Sequence, residues 1–265
     1  MVPHQKQKQH APQQLVNDYG WDAQFAVPDL RINPYESFAS DCSRHGVLLG
    51  QIAGSQVVVK PHPNRDKAQR ELKNIIEFNK VGLNTFDPIG VYEGRSASYL
   101  VTNKYEGLTP LNKLRLRVAH NERSAREEIS KRVARSAVSA AVMHNLDATH
   151  GDFKTKNNFE GPRQEVVFGD LENAIVGKRG KGDSNRRAAD VYELGASLMN
   201  SGYLYNRSPS YRSGAVGEII IGPYIDALDN KHQTNIDLVE AAIDYTIRNN
   251  RIEPFGRFVN AVIKL

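Results

Sequence analysis

Cysteine is nearly absent: Cys42 is the only one in 265 residues, so no intrachain disulfide can form and packing alone must hold the fold. A reducing compartment, the cytoplasm, is the expected setting. Long apolar runs are also missing. The longest, such as "EIIIGPYI", fall far short of the roughly 20 residues a bilayer span needs. The opening "MVPHQKQKQHAPQQ" is basic and glutamine-rich with no apolar stretch after it, so neither a secretory signal nor a membrane anchor is expected there. There is no internal repeat and no cysteine or histidine cluster at metal-ligand spacing. Charge of one sign is in only slight excess, 35 Lys and Arg against 30 Asp and Glu. A net +5 suits a polyanionic partner, nucleic acid included, without requiring one.

What is present divides along the chain. Residues 1–20 are too poor in apolar side chains to offset the entropy of ordering, and a disordered tail is expected. "GVLLGQI" and "QVVVKP", separated by Ala53-Gly54-Ser55, predict a hairpin, and "FDPIGVYEG" with "ASYLVTNKYEG" predicts a second. Between them "NRDKAQRELKNIIEFNKVG" carries a capping Asn64, apolar Ala68, Leu72, Ile75 and Ile76, and a Gly82 stop, which are the signals of a helix. After Gly107 helices take over. Asn121 to Leu146 keeps Ile129, Val133, Ala137, Ala140 and His144 on one face at spacings of three and four. "QEVVFGDLENAIV" reads as a short strand pair around Gly169-Asp170, "RRAADVYELGASLMNSG" as a helix ending at Gly202, and the last sixty residues as helical. Strands with one helix followed by a helix-rich remainder is a two-lobed α+β order.

The stretch "THGDFKTKNNF", Thr149 to Phe159, is too polar for a core. It offers a carboxylate in Asp152, a cation in Lys154, an amide carbonyl in Asn157 and an imidazole in His150. Phosphoryl transfer needs an oriented hydroxyl, neutralised phosphate charge and a hard divalent metal held by oxygens. These residue types can meet all three needs, with Asp152 orienting the attacking hydroxyl, Lys154 against the transferring phosphoryl and Asn157 as a metal ligand. Asp170, at the end of the apolar run "VVF", offers a second metal-binding oxygen. Upstream, Lys60 closes "VVVK", and Glu71 on the following helix is its candidate partner.

Taken in order, "VVVK", "RELKNIIEF", "MHNLDATHGDFKTKN", "VVFGDLEN" and "AADVYELGASL" resemble the landmarks of the protein-kinase-like superfamily, from about Tyr35 to Asn200. The resemblance implies a bilobal α+β fold. Residues 21–106 would form an N-lobe of a small antiparallel sheet with one helix, and 107–265 a reduced, mainly helical C-lobe. It implies ATP and Mg²⁺ as cofactors, with adenine against the connector Asn103 to Gly107. Lys60 would contact the phosphates and pair with Glu71. His150 to Asn157 would correspond to the catalytic-loop motif H-R-D-L-K-x-x-N, with Gly151 replacing arginine and Phe153 replacing leucine. Asp170-Leu171-Glu172 would stand for D-F-G, with Asp170 and Asn157 holding the metal. Asp190 resembles the buried aspartate that anchors the loop, and His144 the histidine that ends the preceding helix. His144 and His150 are expected to be structural, since phosphoryl transfer needs no imidazole base.

The pattern also departs from that superfamily. No G-x-G-x-x-G precedes the first strands; "SFASDCSRHGV" stands there with Gly46, and Ser40 and Ser43 are the candidate substitutes. Gly151 resembles the H-G-D variants of aminoglycoside phosphotransferases, small lipopolysaccharide kinases and RIO-like enzymes, and it removes the receptor for an activation-loop phosphate. Between Asp170 and Asp190 lies only a short segment with "GKRGKGDSNRR" and no A-P-E, which implies a truncated activation segment not regulated by loop phosphorylation. Lys154 favours a small protein serine/threonine kinase. The alternatives are a small-molecule or saccharide kinase of the aminoglycoside phosphotransferase type, a pseudokinase, and a basic nucleic-acid-binding protein. The acceptor is accordingly a hydroxyl on a protein or a small molecule.

Overall fold

Val57, Val58 and Val59 are all buried, so their strand has apolar neighbours on both faces, as a near-continuous β-branched run requires. In the computed structural model this strand, β3 (Ser55–His62), is the middle of a five-stranded antiparallel sheet. Its companions are β1 (Arg31–Ser37), β2 (Leu48–Ile52), β4 (Pro88–Glu93) and β5 (Ser98–Asn103), in the order β1-β2-β3-β5-β4. The structure describes residues 31–37, 47–52, 54–93, 98–105, 109–110, 123–177, 183–199, 207–229, 234–249 and 255–262, with Leu204 and Arg251. The glutamine-rich tail, Ser40, Ser43, Gly46, Gly107, Gly202 and the basic run from Lys178 to Gly182 lie outside the described residues.

Both expected hairpins form, β2 with β3 and β4 with β5. Gly54 turns the first at φ +83°, which a residue without Cβ adopts at no steric cost. Strand β1 is an addition to the sequence reading. Pro34 argues against a strand interior, and the fold accommodates it by placing β1 at the sheet edge with an irregular register between Asn33 and Ser37. Helix α1 (Arg65–Lys80) starts as expected: Asn64 Oδ1 accepts from the Lys67 amide at 3.0 Å, capping one of the four amides that lack an intrahelical partner. It stops at Gly82, at φ +87°.

The chain forms two compact units, one of residues Met1–Ile76 and Phe86–Tyr105, the other of Glu77–Thr85 and Glu106–Leu265. The first is the sheet with most of α1. The second is mainly helical: α2 (Arg123–Asn145), α3 (Asp183–Met199), α4 (Pro209–Val216), α5 (Gly222–Ala227), α6 (Ile236–Asn249) and α7 (Phe255–Val262). The class is therefore α+β, a small antiparallel sheet unit with one helix and a mostly helical unit. Helix α2 buries the expected stripe of Ile129, Val133, Ala137, Ala140 and His144. It packs on α5, while α3 packs on α6. A π-helical segment, Gly217–Ile221, joins α4 to α5 just before Pro223, which has no amide hydrogen for a regular i→i−4 ladder.

The second unit also holds short strands that the sequence reading did not separate: β6 (Thr109–Pro110), β7 (Ala148–Thr149), β8 (Asn158–Glu160), β9 (Val166–Phe168) and β10 (Ile175–Val176). The expected strand pair around Gly169-Asp170 is corrected here. Strand β9 pairs with β8 and β10 pairs with β7, not with each other. The cause is local. Asp170 takes a left-handed conformation, φ 58° and ψ 55°, and runs into a 3₁₀ turn over Leu171–Asn173, so the chain leaves β9 too abruptly to fold back along it.

Candidate active site

Asp190 on α3 is the anchor of the region. It is fully buried, and a buried carboxylate is tolerable only when donors surround it. Its Oδ2 accepts from the His150 amide at 2.8 Å, its Oδ1 from the Gly151 amide at 2.8 Å, and His144 Nε2 lies 3.2 Å from Oδ2. If Nε2 carries the His144 proton, Nδ1 is left to accept from the Tyr224 hydroxyl at 2.8 Å, and Tyr224 Oη in turn lies 2.6 Å from Thr234 Oγ1. Burial pushes the Tyr224 phenol far above its ordinary range, which keeps it a donor. Both histidines are completely buried in structural contacts, His150 through Nε2 to the Gly169 carbonyl at 2.9 Å.

The departure from arginine at position 151 has a steric reason. Gly151 sits at φ +80°, and a Cβ there would lie 2.6 Å from the Asn173 carbonyl oxygen. No L side chain fits without moving the turn after Asp170. Gly151→Ala is therefore expected to cost about 1–2 kcal/mol in backbone conformation alone and to lower Tm by about 4 °C or more. Thermal melting of the two proteins checks this. Phe153, in place of leucine, is fully buried and packs with its ring centre 5.5 Å from His150 and 5.8 Å from Phe168, which meets Phe78 edge-on. The aromatic cluster supports the floor of the loop.

On that floor stand the polar side chains. Asp152 Oδ1 accepts from Lys154 Nζ and Oδ2 from Asn157 Nδ2 at 2.9 Å, while Asn157 Nδ2 also donates to the Asp152 carbonyl at 2.8 Å. Asp152, Lys154 and Asn157 thus form one constellation. The Asn157 carbonyl accepts from the Gly169 amide at 2.9 Å, which fixes the chain next to Asp170 against the loop. With Nδ2 of Asn157 spent on Asp152, the atom left for a cation is the carbonyl oxygen Oδ1. Together with the Asp170 carboxylate it would make an all-oxygen donor set, the kind a hard divalent ion such as Mg²⁺ takes. Asp170 is one of three non-glycine residues at positive φ among the described residues, a conformation that aspartate adopts more readily than most side chains.

In the sheet unit, Lys60 Nζ lies 2.8 and 2.7 Å from the two oxygens of Glu71. Glu71 is buried, so it is not the solvated mid-helix carboxylate its neighbours Arg70 and Lys73 would suggest. His62 Nε2 is 2.9 Å from Glu71 Oε2.

Two residues with a place in the site escaped the sequence reading. Ser197 Oγ accepts from the Thr155 amide at 3.1 Å, and Glu193 Oε2 lies 3.5 Å from Lys154 Nζ. Arg186 also donates to Thr149 Oγ1 at 3.2 Å and to the Asn173 carbonyl at 2.9 Å. Positions 186, 190, 193 and 197 recur at helical spacing of four, three and four, so one face of α3 lines the loop from end to end. That periodicity was the available signal once Asp190 was placed. Burial raises the Glu193 carboxyl above its ordinary value, more than the Lys154 charge lowers it. For Lys154 burial pulls downward, but the hydrogen bond to Asp152 and the charge of Glu193 prevail and raise it.

A family model described as the lipopolysaccharide kinase (Kdo/WaaP) family matches residues 40–204 of the chain, more than half its length. The chain belongs to this family. The matched region contains Lys60, Glu71, Asp152, Lys154, Asn157, Asp170 and Asp190, and the protein-kinase-like resemblance read from the sequence is the one this kinase family carries. Kinase activity, phosphoryl transfer to a hydroxyl acceptor, is the activity of the lipopolysaccharide kinases. No curated protein matches the chain. Among the described residues no helix is long and apolar enough to cross a membrane, and no three His, Cys, Asp or Glu side chains gather as a metal group.

Proposed function

We propose that the protein transfers the γ-phosphoryl of Mg-ATP to a hydroxyl of a saccharide. The observation that carries this reading is the Asp152–Lys154–Asn157 constellation lying inside the lipopolysaccharide kinase match. Asp152 would orient the acceptor hydroxyl and take its proton, held in place by one donor on each oxygen. Lys154 would face the transferring phosphoryl group, and Lys60, kept extended by Glu71, would contact the nucleotide phosphates. Asn157 and Asp170 would hold magnesium, which when bound neutralises charge on the phosphates. His150 takes no proton in this scheme, because its ring is committed to the Gly169 carbonyl.

A second reading, a small protein serine/threonine kinase, is favoured by Lys154 two residues after the aspartate. Incubation with Mg-ATP and lipopolysaccharide, and separately with serine- and threonine-containing peptides, discriminates between them. Mass spectrometry is expected to find new phosphate on the saccharide. Phosphate on peptides or on the chain itself, with the saccharide unmodified, would establish the second reading in its place.

A further inference from the structure

Lys154 is a three-donor cation on a flexible stem, and such a group directs nothing unless its hydrogens are spoken for. Here two carboxylates hold it: Asp152 from its own loop and Glu193 from α3, at 3.5 Å. Asp152 takes a hydrogen bond from Nζ, and Glu193 holds it by charge as an ion pair. Glu193 differs from the other residues on its face of α3. Asp190 and Ser197 bind loop amides and Arg186 binds Thr149 and a carbonyl, whereas Glu193 alone reaches a side chain with a chemical task. Its carboxylate is four-fifths buried. The Lys154 side chain is 37% exposed, so screening takes much of the pair's contribution to stability, and what Glu193 contributes is aim.

We propose that Glu193 is a positioning residue for phosphoryl transfer: together with Asp152 it fixes the Lys154 ammonium and so aims it at the transferred group. This rests on the phosphotransferase reading above. The gain is preorganisation, since a donor already aimed where charge develops costs no reorganisation during the reaction. The raised position of Lys154 agrees with two carboxylates beside it, while burial holds Glu193 above its ordinary value against the pull of the Lys154 charge. Glu193 touches neither nucleotide nor acceptor in this scheme and acts only through Lys154.

The test uses the full chain with Glu193→Gln, which keeps size and removes charge, alone and combined with Lys154→Met. Two readouts are taken. The first is trace acetylation of lysines by acetic anhydride near pH 9, read by mass spectrometry with no need for activity. Losing Glu193 lowers the Lys154 pKa, so its labelling is expected to rise several-fold while that of Lys156, in the same turn, stays level. The second is kinetics. Glu193→Gln is expected to lower kcat about ten- to a hundredfold with KM for ATP within about twofold, and to add less than about twofold in the Lys154→Met background. Unchanged Lys154 labelling overturns the proposal whether or not the enzyme turns over. So does an equal loss from Glu193→Gln in both backgrounds, or none in an active wild type. A wild type inert on every acceptor whose Lys154 labelling still responds refutes the phosphotransferase reading and with it any role of Glu193 in transfer.

Discussion

Asp152→Asn is expected to lower kcat by about 10²–10⁴ while leaving KM for ATP within about twofold and Tm nearly unchanged. The substitution is conservative in shape. An asparagine can still accept from Asn157 Nδ2, so the loop keeps its form, but it cannot take a proton and no longer balances Lys154. Steady-state kinetics at saturating ATP and acceptor measures it. A variant with wild-type kcat would mean that Asp152 is only a loop brace, and a variant that loses ATP affinity instead would move Asp152 to the nucleotide. Because Asp152 is linked to Asn157, a small change in metal affinity is also expected, and raising magnesium should recover only that part.

The largest effect on stability is expected at Asp190. Asp190→Ala leaves the amides of His150 and Gly151 without their side-chain acceptor and removes the carboxylate beside His144 Nε2, all in a buried setting. Breaking a buried charged network from one side costs about 3–5 kcal/mol, which in a chain of this size lowers Tm by roughly 10 °C. Asp190→Asn is the informative companion. Its one carbonyl oxygen can accept from one amide, but its NH₂ then faces the other donor, so it is expected to recover no more than about half the loss. Urea unfolding of both variants reports the difference. An alanine variant as stable as wild type would show that the loop is held from elsewhere, with Phe153 and the aromatic cluster the nearest candidates.

These expectations show which parts of the molecule its sequence reveals. The two hairpins were legible because β-branched runs on either side of Gly54, and the Pro88 to Asn103 segment, have period and turn chemistry that short-range physics decides. Helix α1 was legible from Asn64 and Gly82 for the same reason. Strand β1 was not, because Pro34 is a local argument against a strand and only the edge position cancels it. The strand pair around Asp170 failed because a single residue at φ 58° turns the chain out of β9 and on to β7, and neither period nor turn chemistry marks that residue. Within the site, Asp152, Lys154 and Asn157 lie close enough in sequence to be read as one group, and the structure brings them into direct contact. The reason for Gly151 lies 22 residues downstream in Asn173, beyond any local pattern. Glu193 and Ser197 needed the anchoring role of Asp190 first, after which helical spacing points to both.

ADP formation from ATP, followed for the wild type and Asp170→Asn with and without magnesium and with a lipopolysaccharide acceptor, tests the central claim most directly. The account expects wild-type turnover that stops when EDTA removes the metal and that falls by about a hundredfold or more in the variant, the loss of several kcal/mol of metal-borne stabilisation. Equal rates in the two proteins, or a wild-type rate indifferent to magnesium, would contradict it.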